Sequence, residues 1–286
     1  MRYQKQEILS YIGNKQKILE NKTVSVVGLG AIGSNTANLL ARAGLNLNLI
    51  DRDVVELDNL QRQVLFDEND IGQPKAIQAK KKLSLINSEI KISSTVTDLN
   101  HTNINILQKS DIILDCTDNM ETRLLINDFA LYNSIPWIYS AVLGVHAMTM
   151  NIVPGKTPCF SCIFKEQTSI TDNCDSVGVI NTITTLIASI QSTEAIKILT
   201  DQEFNRDLLL LNIWELNIEK LKIKPNLNCK TCSGIFDYLA GKNHSNVLKF
   251  CGANSFQIRG KPINLEYLFE RLGKSTKATL SFISNF

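Results

Sequence analysis

Residues 23–33 read TVSVVGLGAIG, an apolar, β-branched run that stops on three glycines, Gly28, Gly30 and Gly33. The run suits a buried strand. The glycines suit a tight turn into a helix, where free N–H groups and the helix dipole favour an anion and the backbone can approach a phosphate chain. The helix is expected to reach about Ala43. A second strand follows over Leu45–Asp51 and ends on an acidic residue. Asp51 lies 18 residues beyond Gly33, at the spacing from which a strand-end carboxylate binds ribose hydroxyls in a Rossmann βαβ unit. Taken alone, this opening marks an adenine nucleotide, with NAD as the first candidate.

Further along, Arg52–Gly72 is polar and too long for an ordinary connection between a strand and a helix, as functional or disordered loops are. Pro74 opens a Lys-rich helix to about Asn87. Lys91–Val96, Asp111–Asp115 and Pro136–Ser140 read as strands, with helices at His101–Lys109 and Asn119–Asn133. This alternation predicts an α/β, Rossmann-like fold with a largely parallel sheet and helices on both faces. After Val145 the pattern changes. His146–Val153 extends or reverses the sheet, Asn181–Thr200 is a long helix, and Leu208–Trp214 with Leu216–Lys224 reads as a hairpin-like antiparallel extension. The expected main domain is residues 1–234. Residues 235–286 are expected to form a small C-terminal α+β appendage over Val247–Arg259, Leu265–Leu272 and Ala278–Phe286.

Composition narrows the classes. Hydrophobic residues make up 44% of 286, enough for a sizeable core. The net charge is +2, unevenly spread: from Asn217 onward, eleven Lys/Arg face four Asp/Glu. No aromatic interleaving or basic run accompanies that tail, so it reads as a solvated surface and no nucleic-acid partner is expected. No run of 18 apolar residues suggests a membrane span. Met1–Ser10 lacks the apolar core of a signal peptide, so a cytoplasmic chain is expected. Seven cysteines in such a chain point to metal or reactive thiols rather than a disulfide frame. His101, His146 and His244 form no triad or metal spacing and receive no catalytic role.

Three further motifs move the reading away from hydride transfer. They are Asp58-Asn59-Leu60-Gln61-Arg62-Gln63, Gly72-Gln73-Pro74-Lys75-Ala76 and Asp115-Cys116-Thr117-Asp118-Asn119. Nucleotidyl transfer needs such groups: Arg and Lys to spread phosphate charge, Asp for Mg²⁺, and Asn or Gln to orient oxygens. Each has a bland reading too. Lys75 and Arg62 would be solvated charges, and Asp118 a helix cap.

GLGAIG, NLQRQ, GQPKA and DCTDN, in this order over residues 1–234, resemble the ThiF/MoeB/HesA family and the adenylation domain of ubiquitin-activating enzymes. The resemblance implies ATP as cosubstrate. Asp51 would bind its ribose, Asn59, Arg62 and Gln63 would surround its phosphates, and Lys75 would contact them. Asp118 would lie near Mg²⁺ and the α-phosphate. It also implies a homodimer, with Arg62 reaching into the partner protomer's site. The family's N-terminal Arg is replaced by Lys5, which keeps the charge and loses the bidentate geometry.

Cys159-Phe-Ser-Cys162 and Cys229-Lys-Thr-Cys232 are two CxxC pairs, 66 residues apart. Four thiolates suit tetrahedral Zn²⁺ and leave no open position, so the site reads as a structural staple, and members of the family carry such a site. Cys174 sits in a polar loop. The resemblance implies acyl-sulfur chemistry at this position, whereas Asp172 and Asp175 beside it would raise the thiol pKa, so a bystander role stays open. Cys116 reads as strand-end packing, and Cys251 has no assigned role.

The implied activity is ATP-dependent adenylylation of the C-terminal Gly-Gly carboxylate of a ubiquitin-like sulfur-carrier protein, with a sulfur-donor protein as a further partner. Ser134–Tyr139, the Cys174 loop and Cys251–Arg259 resemble ThiF of Gram-positive bacteria, which favours thiamin thiazole synthesis over the MoeB role in molybdopterin synthesis. Relatives of that type continue past Ala278–Phe286, so the appendage is expected to be shortened and its last strand an exposed edge. The alternatives outside the family are an NAD-dependent oxidoreductase and an inactive binding module.

Overall fold

The computed structural model describes residues 2–164 and 177–243, with Val247–Lys249 and Phe256–Ile258. The chain forms two compact units, Met1–Asn243 and His244–Phe286. The first holds, in chain order, α1 (Gln4–Glu7), α2 (Gln16–Leu19), β1 (Thr23–Val27), α3 (Ala31–Ala43), β2 (Asn46–Asp51), α4 (Lys75–Ile86), β3 (Ile92–Val96), β4 (Ile112–Asp115), α5 (Met120–Tyr132), β5 (Trp137–Leu143), β6 (His146–Ile152), α6 (Asn181–Leu199), β7 (Leu208–Asn212) and β8 (Asn217–Leu221). The strands make one eight-stranded sheet in the order β3-β2-β1-β4-β5-β6-β7-β8. β3 to β5 are parallel through β2, β1 and β4, and β6, β7 and β8 continue antiparallel.

Strand alternation splits the core between the two faces of the sheet. Val24 and Val26 of β1, Leu47 and Leu49 of β2, and Ile112 and Leu114 of β4 enter one cluster, which also takes up side chains of α3, α4 and α6. Val27, Ile50 and Ile113 enter the other, with Leu124, Ile126 and Phe129 of α5. The helices therefore cover both faces, as expected. β8 is exposed along its length and forms one edge. Among the described residues, no helix is long and apolar enough to cross a membrane.

Several local expectations change. His101–Lys109 is not a helix but a single 3₁₀ turn, Ile104–Leu107. Asn100 Oδ1 accepts from the Thr102 N–H and Asn103 Oδ1 from the Asn100 N–H, so side chains take the backbone groups a helix would use. β5 runs on past Ser140 to Leu143, because antiparallel pairing with β6 gives it a partner along its whole length. The division between the units falls after Asn243 rather than at residue 234. Residues 235–243 fold back on α5: the Tyr238 and Leu239 N–H groups donate to the Asp128 carboxylate, and Phe236 packs edge-on against Tyr132. In the second unit, the described residues form two short antiparallel strands, β9 (Val247–Lys249) and β10 (Phe256–Ile258). Leu265–Leu272 and Ala278–Phe286 lie outside the described residues.

Candidate functional site

β1 is flanked by β2 on one side and β4 on the other, so chain direction diverges there. The carboxyl ends of β1 and β4 are thus the topological switch point, where open α/β sheets place their ligand crevice. The three glycines meet there with different duties. Gly28 has φ +87°, and a Cβ on it would lie 2.7 Å from the Cys116 carbonyl oxygen; a Cβ on Gly33 would lie 1.9 Å from the Gly28 carbonyl oxygen. These two are demanded by packing. Gly30 caps α3 without any side-chain hydrogen bond, and the nearest atom to a Cβ there is Gln63 Nε2 at 3.9 Å. Gly30 is thus the open one, and the uncapped N–H groups beyond it form a cradle for an anion.

Asp51 is buried at the end of β2. Its Oδ2 accepts from the Leu29 N–H at 2.5 Å and its Oδ1 from the Asp53 N–H at 2.7 Å. The long segment after it is ordered. The Val55 N–H donates to Gln73 O, the Gly72 N–H to Val55 O, and the Lys75 N–H to Asp53 O, while Lys82 of α4 holds both Asp67 and Asp70. This closure returns the chain to its start and puts buried Lys75 beside Asp53, Nζ to Oδ2 3.8 Å.

Asn59 and Gln63 are buried on the same segment, with the Gln63 N–H donating to Asn59 O. The Gln63 side-chain oxygen is buried with no hydrogen-bond partner among the described residues. Arg62 folds back onto its own turn, its Nη1 donating to Asp58 O at 2.7 Å. Asp118 is exposed, and its carboxylate accepts no hydrogen bond from a described residue. It is not the helix cap: Asn119 caps α5, accepting from the Thr122 N–H at 2.8 Å. Lys5 is exposed on α1, and its side chain has no hydrogen bond or ion pair with a described residue. Contacts thus link Gly30 to Gln63, Asp51 to the Leu29 and Asp53 N–H groups, and Lys75 to Asp53, whose carboxyl also feels the Asp118 charge, while Arg62 engages Asp58.

Two residues here escaped the sequence reading. Asp53 is half-buried. Loss of water, reinforced by the Asp51 charge and opposed by Lys75 and Arg52, pushes its carboxyl up to about 6, with Asp118 adding to the rise. Arg123, on α5, is buried against Asp115, Nε to Oδ2 3.2 Å, and also donates to Thr117 O. Burial pushes the Asp115 carboxyl up, and the Arg123 guanidinium pulls it back. The signals were present: an Asp two residues past the strand-end Asp51, and a lone Arg on α5 directly before the apolar Leu124–Ile126. Neither stood out without knowledge of what faced it. Cys116 is buried at the end of β4 and donates to Gln191 Oε1 at 3.4 Å; burial raises its thiol well above the usual range.

A second centre lies on the α5 face of the sheet. The sulfurs of Cys159, Cys162, Cys229 and Cys232 all lie within 4.8 Å of one another, with Cys159–Cys229 at 3.5 Å and Cys162–Cys232 at 3.6 Å. A tetrahedron with Zn–S of about 2.3 Å has edges of about 3.8 Å, so the donor set and its size fit a closed metal site. Two segments far apart in sequence are joined there. Cys174 and Cys251 lie outside the described residues.

Against known proteins, the model of the ThiF family matches residues 3–231. The sulfur carrier protein ThiS adenylyltransferase of Bacillus subtilis is 36% identical over 284 residues, covering 95% of this chain and 84% of the relative. Its counterpart of the same name in Escherichia coli is 32% identical over 240 residues, covering 82% of this chain and 95% of the relative. Among solved structures, E. coli MccB with ATP superposes with a TM-score of 0.71 at 25% identity, covering 81% of this chain and 74% of that one.

Proposed function

The chain belongs to the ThiF family, and from that premise we propose that it is an ATP-dependent adenylyltransferase acting on the C-terminal Gly-Gly carboxylate of a ubiquitin-like sulfur-carrier protein for thiamin thiazole synthesis. The observation that carries the reading is the crevice at β1 and β4. The uncapped α3 N-terminus at Gly30 adjoins Gln63, whose amide oxygen has no partner among the described residues, while strand-end Asp51 accepts from the Leu29 and Asp53 N–H groups and Lys75 pairs with Asp53. A glycine turn that binds only a dinucleotide has no use for Lys75 and Asp118.

In the proposed reaction the carrier's carboxylate oxygen attacks the α-phosphorus of ATP. A carboxyl–phosphate bond forms, the bond to the β-phosphate oxygen breaks, and pyrophosphate leaves with the electron pair. The chain supplies no nucleophile for this step. Positioned charge does the work: the α3 N-terminus and Lys75 take the phosphates, Asp51 the ribose, and Asn59 and Gln63 orient oxygens. Lys75 is held by Asp53 and exchanges that partner for phosphate oxygens. Asp118, exposed and without an ion pair among the described residues, would hold Mg²⁺, which supplies charge neutralisation on the phosphates. Arg62, engaged with Asp58 on its own turn, would serve the opposite site of a homodimer. Zn²⁺ at the four cysteines would be structural. Sulfur then reaches the acyl-adenylate from a donor protein or through Cys174, in the cytoplasm.

Carrier-dependent ATP–pyrophosphate exchange tests the reading. Wild type is expected to exchange with a thiazole-pathway carrier, and Asp118→Ala and Lys75→Ala to lose at least about 100-fold. Exchange only with a molybdopterin-synthase subunit would transfer the chain to the MoeB role. No exchange with any Gly-Gly carrier would end the proposal.

A further inference from the structure

Arg123 stands between the two centres. On one side, its Nε donates to Asp115 Oδ2 at 3.2 Å, and Nη2 donates to Thr117 O. Asp115 Oδ1 meanwhile accepts from both the N–H and the hydroxyl of Thr117, at 3.0 and 2.6 Å. The Thr117 carbonyl and the Asp118 N–H belong to one planar peptide unit, so holding that oxygen holds the plane on which the Asp118 Cα sits and narrows the directions its side chain can take. On the other side, the guanidinium carbon lies 5.1 Å from the centre of the Tyr139 ring. Tyr139 packs on Phe160 at 4.9 Å and Phe164 at 5.5 Å, and those two rings stack at 4.4 Å.

Phe160 is part of the Cys159–Cys162 turn. Its N–H donates to Asn127 Oδ1 at 3.0 Å, and Asn127 Nδ2 donates to Ser161 Oγ at 3.1 Å. Asn127 is four residues past Arg123 and therefore shares its side of α5. The same stripe of α5 holds the turn that carries Asp118 and the turn that carries two cysteines.

We propose that Arg123 is a positioning residue for the nucleotide site. It aims Asp118 through the Thr117–Asp118 peptide and is itself held on an aromatic ledge, Tyr139, Phe160 and Phe164, supplied in part by the cysteine knuckle. Buried in place, it touches Asp115, Thr117 and Tyr139 rather than the crevice, so its effect is on geometry. The proposal rests on the nucleotide reading of the crevice, but its first test does not depend on activity.

That test is amide hydrogen exchange over residues 115–119 in the unliganded, full-length protein. Arg123→Met is expected to speed exchange there about tenfold while the amides of β1 and β5 keep their protection. Unchanged exchange at 115–119, or equal acceleration throughout the sheet, would overturn the proposal. If wild type performs ATP–pyrophosphate exchange, the same variant should lower kcat about tenfold or more and leave the KM for ATP within about threefold. An unchanged kcat would also overturn it. If wild type shows no such exchange, the adenylyltransferase reading fails, and the amide measurement still decides the role of Arg123. Two ring variants guard against a misfolded Arg123→Met. Tyr139→Phe keeps the ring face and is expected to match wild type, whereas Tyr139→Leu and the milder Phe164→Leu loosen 115–119 in that order. Equal behaviour of Tyr139→Phe and Tyr139→Leu would remove the ledge from the argument.

Discussion

Gly30 and Gly33 stand three residues apart and meet a methyl group differently. At Gly33 a Cβ would lie 1.9 Å from the Gly28 carbonyl oxygen, whereas at Gly30 the nearest atom is 3.9 Å away. Gly33→Ala is therefore expected to destabilise the protein by about 2–3 kcal/mol. Gly30→Ala is expected to shift stability by less than about 0.5 kcal/mol yet weaken nucleotide binding. Thermal unfolding beside an ATP titration separates them, and equal loss of stability in both would contradict the assignment of Gly30 to the ligand. Asp53 gives a pH signature. Its folded carboxyl is raised from 3.8 to about 6, first by burial and then by Asp51, against Lys75 and Arg52, with Asp118 adding. Between those values the folded chain keeps a proton that the unfolded chain releases, so this group's contribution to stability falls as pH rises through the window and is level above it. The Tm of Asp53→Asn relative to wild type should therefore rise from about pH 4 to about pH 7. A difference that stays flat would mean that Asp53 titrates normally. Gly30 and Gly33 carry the same letter in the sequence, and only their spatial neighbours distinguish their work.

At the scale of elements, α5 and the two cysteine turns form a joint. Asp128 of α5 accepts from Thr231 Oγ1 at 3.1 Å, while Asn127 holds the turn at Phe160 and Ser161. A metal at the four sulfurs would lock this joint. Cys232→Ser, at the most exposed of the four positions, is expected to lower bound zinc from about one per chain and to drop Tm by about 5–10 °C, as about 2–3 kcal/mol does in a unit of this size. Elemental analysis and calorimetry read both, and zinc absent from wild type purified without chelator would remove the metal assignment. The CxxC spacing made this cluster legible in advance because metal ligands are chosen by chemistry. The missing helix at His101–Lys109 was not legible, because Asn100 and Asn103 offer local hydrogen bonds that hydrophobic periodicity does not weigh.

For the molecule as a whole, the question is which site Arg62, resting on Asp58 of its own turn, serves. If Arg62 serves the opposite site of a homodimer, mixing Arg62→Ala with Lys75→Ala gives heterodimers with one intact composite site each. Random mixing should then restore up to about one quarter of wild-type pyrophosphate exchange. No recovery, with subunit exchange verified by mass, would assign Arg62 to its own chain. The sequence by itself determined the parallel α/β core, the glycine turn, the antiparallel extension and the four-cysteine set, because period-2 burial, φ-permissive glycine and ligand spacing are all local in the chain. Only the tertiary structure decided that Gly30 alone of the three glycines is open, that Lys75 and Asp53 meet across the return of a long loop, that Asn119 rather than Asp118 caps α5, and that Arg123 lies between the two centres. These follow from strand order and loop closure, which bring Lys75 of α4 to Asp53 just past β2 and Arg123 of α5 to Asp115 of β4, pairings that hydrophobic periodicity does not record.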